Sequence, residues 1–278
     1  MYQITNKVYL NPSIVKIDIK APNVARHAKA GQFVIVRADE LAERIPLTIA
    51  NADREKGEIS LIYQVVGAGT KRLNEIEMGE GILDVMGPLG MPTHTEGIKR
   101  ACVVGGGTGC AIALPLVRQL AEGGTEVHSV MGFRTKDLII LEDEFKRYSK
   151  KVVLMTDDGS NGSKGLVTDA LRKLIEEGNQ YDEVFAIGPL IMMKFICKLT
   201  KEYGIKTTVS MNPIMVDGTG MCGCCRVTVG GKMKFACVDG PDFDGHLVDF
   251  DDTMLRARTY IENEEHICNL TGEKRNVK

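Results

Sequence analysis

The chain has 278 residues, 44% of them hydrophobic, and carries 35 basic against 37 acidic side chains for a net charge of −2. That is enough apolar mass for two or three folded domains and excludes a disordered chain. Interspersed charge excludes the basic face that nucleic acid requires, and an aromatic content of 5% with no Trp argues against base stacking.

Residues 1–95 read as short strands, 2–10, 14–19, 32–37, 59–66 and 81–86. They are rich in Val and Ile and are punctuated by Asn11-Pro12, Pro22-Asn23, Lys56-Gly57 and Gly87-Pro88. Such spacing predicts a small antiparallel β-barrel. The pattern then changes to strand 100–104, a glycine loop, helix 111–122 and strand 126–132, a βαβ unit. It continues with helix 142–148, strand 151–156, helix 167–177, strand 183–187, helix 191–203 and strand 206–210. This alternation predicts a parallel sheet with helices on both faces. A cysteine-rich segment with a strand at 232–238 follows. A polar helix over 251–269 and a disordered tail, 271–278, complete the expected order. The fold class is therefore α/β with a β-barrel, divided at 1–96, 97–210, 211–250 and 251–278. The most apolar stretch, 110–117, is far shorter than the roughly 20 residues of a membrane span, so a soluble chain is expected.

Asp217-Gly-Thr-Gly-Met-Cys222-Gly-Cys224-Cys225, followed by Cys237, brings soft ligands together in one loop. The plant-type [2Fe–2S] pattern is C-x4-C-x2-C with a distant fourth Cys. Laid over this loop, it places Asp217 first, then Cys222, Cys225 and Cys237. A carboxylate can ligate iron and shifts the cluster's potential; Cys224 is the other candidate for the fourth position. Structural zinc and simple packing are the competing readings. Gly218, Gly220 and Gly223 favour the cluster, because they let amide N–H groups approach its sulfurs. No signal peptide is apparent in Met1-Tyr-Gln-Ile-Thr, and the other cysteines form no even framework, so a reducing, cytoplasmic compartment is expected. Cys102, Cys197 and Cys268 read as packing residues, and Cys110 is open between a nicotinamide neighbour and a core residue. The five His lack ligand spacing.

Gly105-Gly106-Gly107-Thr108-Gly109 lies where a strand meets a helix, the place where open α/β sheets bind nucleotides. The spacing is not that of the usual G-x-G-x-x-G fingerprint. After the third strand of this sheet, Asp157 and Asp158 offer two carboxylates that would repel a 2′-phosphate, which favours NADH; Arg134 argues the other way.

Barrel, nucleotide fold and ferredoxin-like loop, in this order, resemble the ferredoxin–NADP reductase superfamily. Arg44-Ile-Pro46-Leu47-Thr48 is similar to its flavin motif, and Gly67-Ala-Gly69-Thr70 to its second FAD segment. Gly87-Pro88-Leu89-Gly90 is similar to its barrel-closing loop. Gly105 to Gly109 and Gly188-Pro189 are similar to its two nicotinamide-nucleotide loops. The resemblance implies FAD, with Arg44 on the diphosphate, Pro46 and Leu47 along the ring, and Thr48 hydrogen-bonded to it. Gly67, Gly69 and Thr70 take the pyrophosphate. It also implies hydride transfer from NAD(H) to flavin with no side chain acting as acid or base.

Two groups of electron-transfer subunits within the superfamily resemble the chain most. One serves electron-bifurcating NADH-dependent ferredoxin:NADP+ oxidoreductases, in which an Asp replaces the first cluster Cys. The other serves NAD+-linked dihydroorotate dehydrogenase and carries four Cys. Asp217 favours the first. The sequence has no C-x2-C-x2-C run, so this resemblance implies a larger partner subunit with its own flavin and [4Fe–4S] clusters that handles NADP(H) and ferredoxin.

Overall fold

The computed structural model describes residues 1–263 and 266. Its first layer comprises β1 (Tyr2–Asn11), β2 (Ile14–Lys20), α1 (Pro22–His27), β3 (Phe33–Arg37), β4 (Arg44–Asp53), β5 (Glu58–Gln64), α2 (Ala68–Glu75), β6 (Gly81–Ile82) and β7 (Asp84–Leu89). The strands pair antiparallel in the order β6-β1-β2-β5-β4-β3-β7, curling into a half-barrel. Ile17, Ile19, Val34, Val36, Ile59, Leu61 and Tyr63 fill its interior. Ile14 and Ile62 point outward and are buried against the next domain. A strand covered on both faces loses its polar alternation, which is why β5 carries the run Leu61-Ile62-Tyr63 with no polar residue between.

The second layer comprises β8 (Arg100–Gly106), α3 (Gly109–Glu122), β9 (Glu126–Phe133), α4 (Glu142–Tyr148), β10 (Lys151–Thr156), α5 (Val167–Glu176), β11 (Glu183–Ile187), α6 (Leu190–Glu202) and β12 (Lys206–Ser210). The sheet runs β10-β9-β8-β11-β12, parallel throughout. One core lies beneath α3 and α4, and a second beneath α5 and α6.

The remaining elements are the hairpin β13 (Arg226–Val229) and β14 (Lys232–Phe235), the strand β15 (Asp242–Asp244) and α7 (Phe250–Arg256). Gly230 and Gly231, both at positive φ (57° and 74°), make the two-residue hairpin turn. The expected strand over 232–238 ends early, at Phe235, and Cys237 lies in the turn beyond it. β15 adds antiparallel to β12, so the sheet is mixed at this edge. The expected helix over 251–269 is interrupted: α7 ends at Arg256, where the Thr259 hydroxyl donates to the Arg256 carbonyl and competes with helical pairing, and a helical turn resumes at 261–263. Its predicted end, Cys268 and the tail 271–278 lie outside the described residues. No helix among the described residues is long and apolar enough to cross a membrane.

Candidate cofactor cleft and cluster loop

A cleft of about 810 Å3 opens between the half-barrel and the carboxyl ends of the parallel strands. The barrel contributes Pro46, Leu47 and Thr48 from β4, with Phe33 and Gln64 beside them and Thr70 from α2. The sheet contributes Gly106, Gly107, Thr108 and Gly109 after β8, Arg134 after β9, Asp157 after β10, Gly188 and Pro189 after β11, and Asn212 after β12. Ligand sites of open α/β sheets lie at this edge because the strands end there and the helices begin.

The start of α3 leaves the N–H groups of Thr108 and Gly109 without backbone partners among the described residues, and both residues line the cleft. Gly109 sits against backbone: a Cβ there would lie 2.4 Å from the Ile187 carbonyl oxygen. Gly105 does not line the cleft; its missing Cβ makes room for the Cys110 sulfur. Cys110 is wholly buried, and desolvation pushes its thiol up to about 12, so it is a core residue. Thr108 donates from its hydroxyl to Gln64 Oε1 at 3.1 Å, a bond across the cleft between the two domains.

The two carboxylates separate. Asp157 lines the cleft, whereas Asp158 turns away and accepts from the Ser160 N–H (3.0 Å) and hydroxyl (2.7 Å), which hold its carboxyl below the usual range. Gly67 and Gly69 also lie outside the cleft lining. Gly67 caps α2, and the Thr70 hydroxyl accepts from the N–H groups of Val66 (3.0 Å) and Gly67 (3.2 Å). Arg44 also lies outside the cleft lining, at the start of β4 beside the cysteine loop. Its Nε donates to the Val216 carbonyl at 2.7 Å, and its Nη2 faces the Asp217 carbonyl at 3.5 Å and Met86 Sδ at 3.6 Å.

The loop begins at the cleft wall, where Met215 lines the cavity. Asp217 Oδ2 accepts from the Thr219 N–H (2.9 Å), the Thr219 hydroxyl (2.6 Å) and the Met221 N–H (3.3 Å). These bonds hold the carboxyl below the usual range. Cys225 and Cys237 are buried with their sulfurs 3.1 Å apart, while Cys222 is exposed and Cys224 half-buried. The Cys224 N–H beside Cys222 lowers its thiol, and burial pushes the Cys237 thiol up to about 12. Among the described residues, no three His, Cys, Asp or Glu side chains are gathered as for a single ion.

Residues 103–198 match the oxidoreductase NAD-binding domain, and residues 212–249 match the iron–sulfur cluster binding domain of dihydroorotate dehydrogenase B. A Thermotoga maritima protein named as a homolog of the dihydroorotate dehydrogenase B (NAD(+)) electron transfer subunit is 48% identical, over 95% of this chain and 93% of its own. The chain belongs to the family of these electron-transfer subunits and their homologues. A Clostridium beijerinckii protein, described only as an uncharacterized protein in the adh 3′ region, is 49% identical over 100% of this chain and 96% of its own. A solved structure of the NADH-dependent reduced ferredoxin-NADP oxidoreductase, described for its insights into flavin-based electron bifurcation, shares 45% identity. It superposes with a TM-score of 0.92 over 98% of each chain. The chain is thus an NAD(P)H-dependent oxidoreductase with the ferredoxin–NADP reductase fold, and its cofactors are FAD, an iron–sulfur cluster and NAD(H).

The residues present fit these groups. The cleft has an apolar barrel wall for a ring system and free N–H groups opposite for phosphate. In the loop, Cys222, Cys225 and Cys237 supply three thiols, two of them with sulfurs 3.1 Å apart, and cysteine thiolates are the ligands that hold iron–sulfur clusters. Sequence reasoning missed Phe33, Gln64 and Asn212 in the cleft wall. Gln64 left one trace, a polar residue after the apolar run Leu61-Ile62-Tyr63 in the strand read over 59–66; the other two left none.

Proposed function

We propose that this chain is the NADH-oxidising arm, operating reversibly, of a flavin-based electron-bifurcating NADH-dependent ferredoxin:NADP+ oxidoreductase. Continuity carries the reading: the cleft wall at Met215 leads within two residues to Asp217, and the loop's far side is open at Cys222 and Met221, the latter 88% exposed. Asp217 in the first ligand position and the 45% identical bifurcating structure point the same way.

In this reading residues 1–96 hold FAD, 97–210 hold NAD(H) and 211–250 hold a [2Fe–2S] cluster. When bound, these groups supply hydride exchange and one-electron transfer. Arg44 meets the flavin diphosphate, with Thr70 beside it. Pro46 and Leu47 cover the ring and Thr48 donates to it. Gly106, Gly107, Thr108 and Gly109 present backbone to the dinucleotide, Gly188 and Pro189 close over it, and Asp157 disfavours a 2′-phosphate. Asp217, Cys222, Cys225 and Cys237 hold the cluster, Cys224 being the alternative to Asp217. A larger cytoplasmic partner with flavin and [4Fe–4S] clusters handles NADP(H) and ferredoxin.

The names of the curated relatives support a second reading, the electron-transfer subunit of an NAD+-linked dihydroorotate dehydrogenase. An anoxic absorbance spectrum with iron assay comes first: a flavin band and about two irons per chain, bleached preferentially by NADH, is expected. Adding purified partner then separates the readings. Reduction of NADP+ and ferredoxin supports the first, and orotate turnover alone replaces it with the second.

A further inference from the structure

The guanidinium of Arg44 has two usable edges, and only one is engaged. Nε and Nη2 face the carbonyls of Val216 and Asp217, the residues that open the cluster loop, while Nη1 has no partner among the described residues. Arg44 is half-buried on β4, two residues before Pro46 in the cleft wall. The loop is pressed onto the adjoining strands β3 and β7: a Cβ on Gly218, at φ +84°, would lie 2.5 Å from Ile35 Cδ1 and 2.9 Å from Leu89 Cδ1. A planar fork with donors on both edges can hold two groups at fixed relative positions, which a lysine ammonium cannot do.

We propose that Arg44 is a positioning residue shared by two sites, holding the first residues of the cluster loop with one edge and the flavin diphosphate with the other. This rests on the flavin assignment above. FAD then fixes the guanidinium in the place where it clamps Val216 and Asp217, and the clamped loop presents Nη1 to the diphosphate. The two sites are energetically coupled, and the coupling is reciprocal.

The test compares wild type with Arg44→Lys, each with FAD bound and after FAD is stripped. The readouts are the EPR spectrum of the dithionite-reduced protein, iron release to a chelator, and FAD affinity before and after iron removal. In wild type, stripping FAD should change the EPR line shape and speed iron release about tenfold, and removing iron should weaken FAD by about tenfold, a factor typical of linked sites. Arg44→Lys should keep FAD bound through its charge yet show the FAD-free cluster spectrum, with FAD affinity no longer responding to iron. The proposal is overturned if FAD removal leaves the wild-type spectrum and iron release unchanged, or if Arg44→Lys behaves as wild type. The wild-type arms need no variant to fold. A wild-type chain purified without flavin or iron overturns the cofactor assignment as well, which tells the two failures apart.

Discussion

Replacing Gly109 by Ala tests the nucleotide loop most directly, because the obstruction is backbone. The new methyl would stand 2.4 Å from the Ile187 carbonyl oxygen and 2.8 Å from Gly188 Cα, about 1 Å inside the 3.4 Å where ordinary contact begins. No side chain can swing aside, so α3 must move away from β11, and the N–H groups of Thr108 and Gly109 move with it. Overpacking of this kind costs roughly 1–3 kcal/mol. A displacement of about 1 Å at a binding group can cost on the order of a hundredfold. NADH affinity should therefore fall by about 10- to 100-fold, read by anoxic titration of flavin bleaching, with FAD and iron content unchanged. Gly124→Ala, just beyond the far end of α3 and outside the cleft lining, is the control. Nothing lies within 4 Å of its Cβ, and only its φ of +84° opposes substitution, at a cost of about 1–2 kcal/mol. The reasoning fails if Gly109→Ala binds NADH within about twofold of wild type, far short of the roughly hundredfold that such a displacement can cost, or if Gly124→Ala is the worse of the two.

Asp157→Ser removes the carboxylate that lines the cleft and should shift the kcat/KM ratio toward NADPH by about tenfold; Asp158→Ser, which loses only the turn with Ser160, should shift it far less. Asp217→Cys should retain the cluster with an altered midpoint potential, whereas Asp217→Ala should lower iron content; unchanged spectra and potentials in both would remove Asp217 from the ligand set. Asp242 is held above the usual carboxylate range by desolvation, against hydrogen bonds from Thr93 and Ser210 that lower it. Its folded form binds a proton more tightly than the unfolded chain does, so its contribution is full below the ordinary Asp range and is lost as pH rises through the raised value. Urea titrations from pH 4 to pH 8 should show a shallower decline for Asp242→Asn, and a parallel decline would refute the assignment.

The strands of both sheets were legible because their periodicity matches their burial: 151–156 and 183–187 coincide with β10 and β11. The flavin segment was harder. Arg44, Pro46 and Thr48 lie on β4, which is not among the expected strands; Pro46 breaks the pattern there, Pro being rare within a sheet. Pro46 is tolerated there, opposite Ile35. α1 was read as a turn at Pro22-Asn23, yet Pro22 sits in the first turn of the helix, where the missing N–H costs nothing. The cysteines showed their chemistry through spacing alone. Sequence could not show that Asp158 is occupied by Ser160 while its neighbour reaches the cleft, since that depends on the path of one turn.

The cluster segment explains why these domains come as one piece. Its hairpin and loop are too small to bury a sufficient core of their own; segments below about 40 residues usually need metal, disulfides or a neighbour's surface. Here the surface is borrowed from both larger domains. Gly218 closes on Ile35 and Leu89 of the barrel, the Gly240 carbonyl accepts from Met91 beyond β7, and Gly245 closes on Cys197 and Val209 of the nucleotide domain. Cys225 and Cys237 belong to the same core as Phe33, Ile35, Met211 and Met215, so the thiols and the cleft wall are parts of one packed body. A side chain cannot be loosened in such a core without disturbing its neighbours. In the proposed reading the distance between a flavin in the cleft and a cluster in the loop is thereby set by packing, and the exposed face at Cys222 and Met221 is where exchange with another subunit would take place.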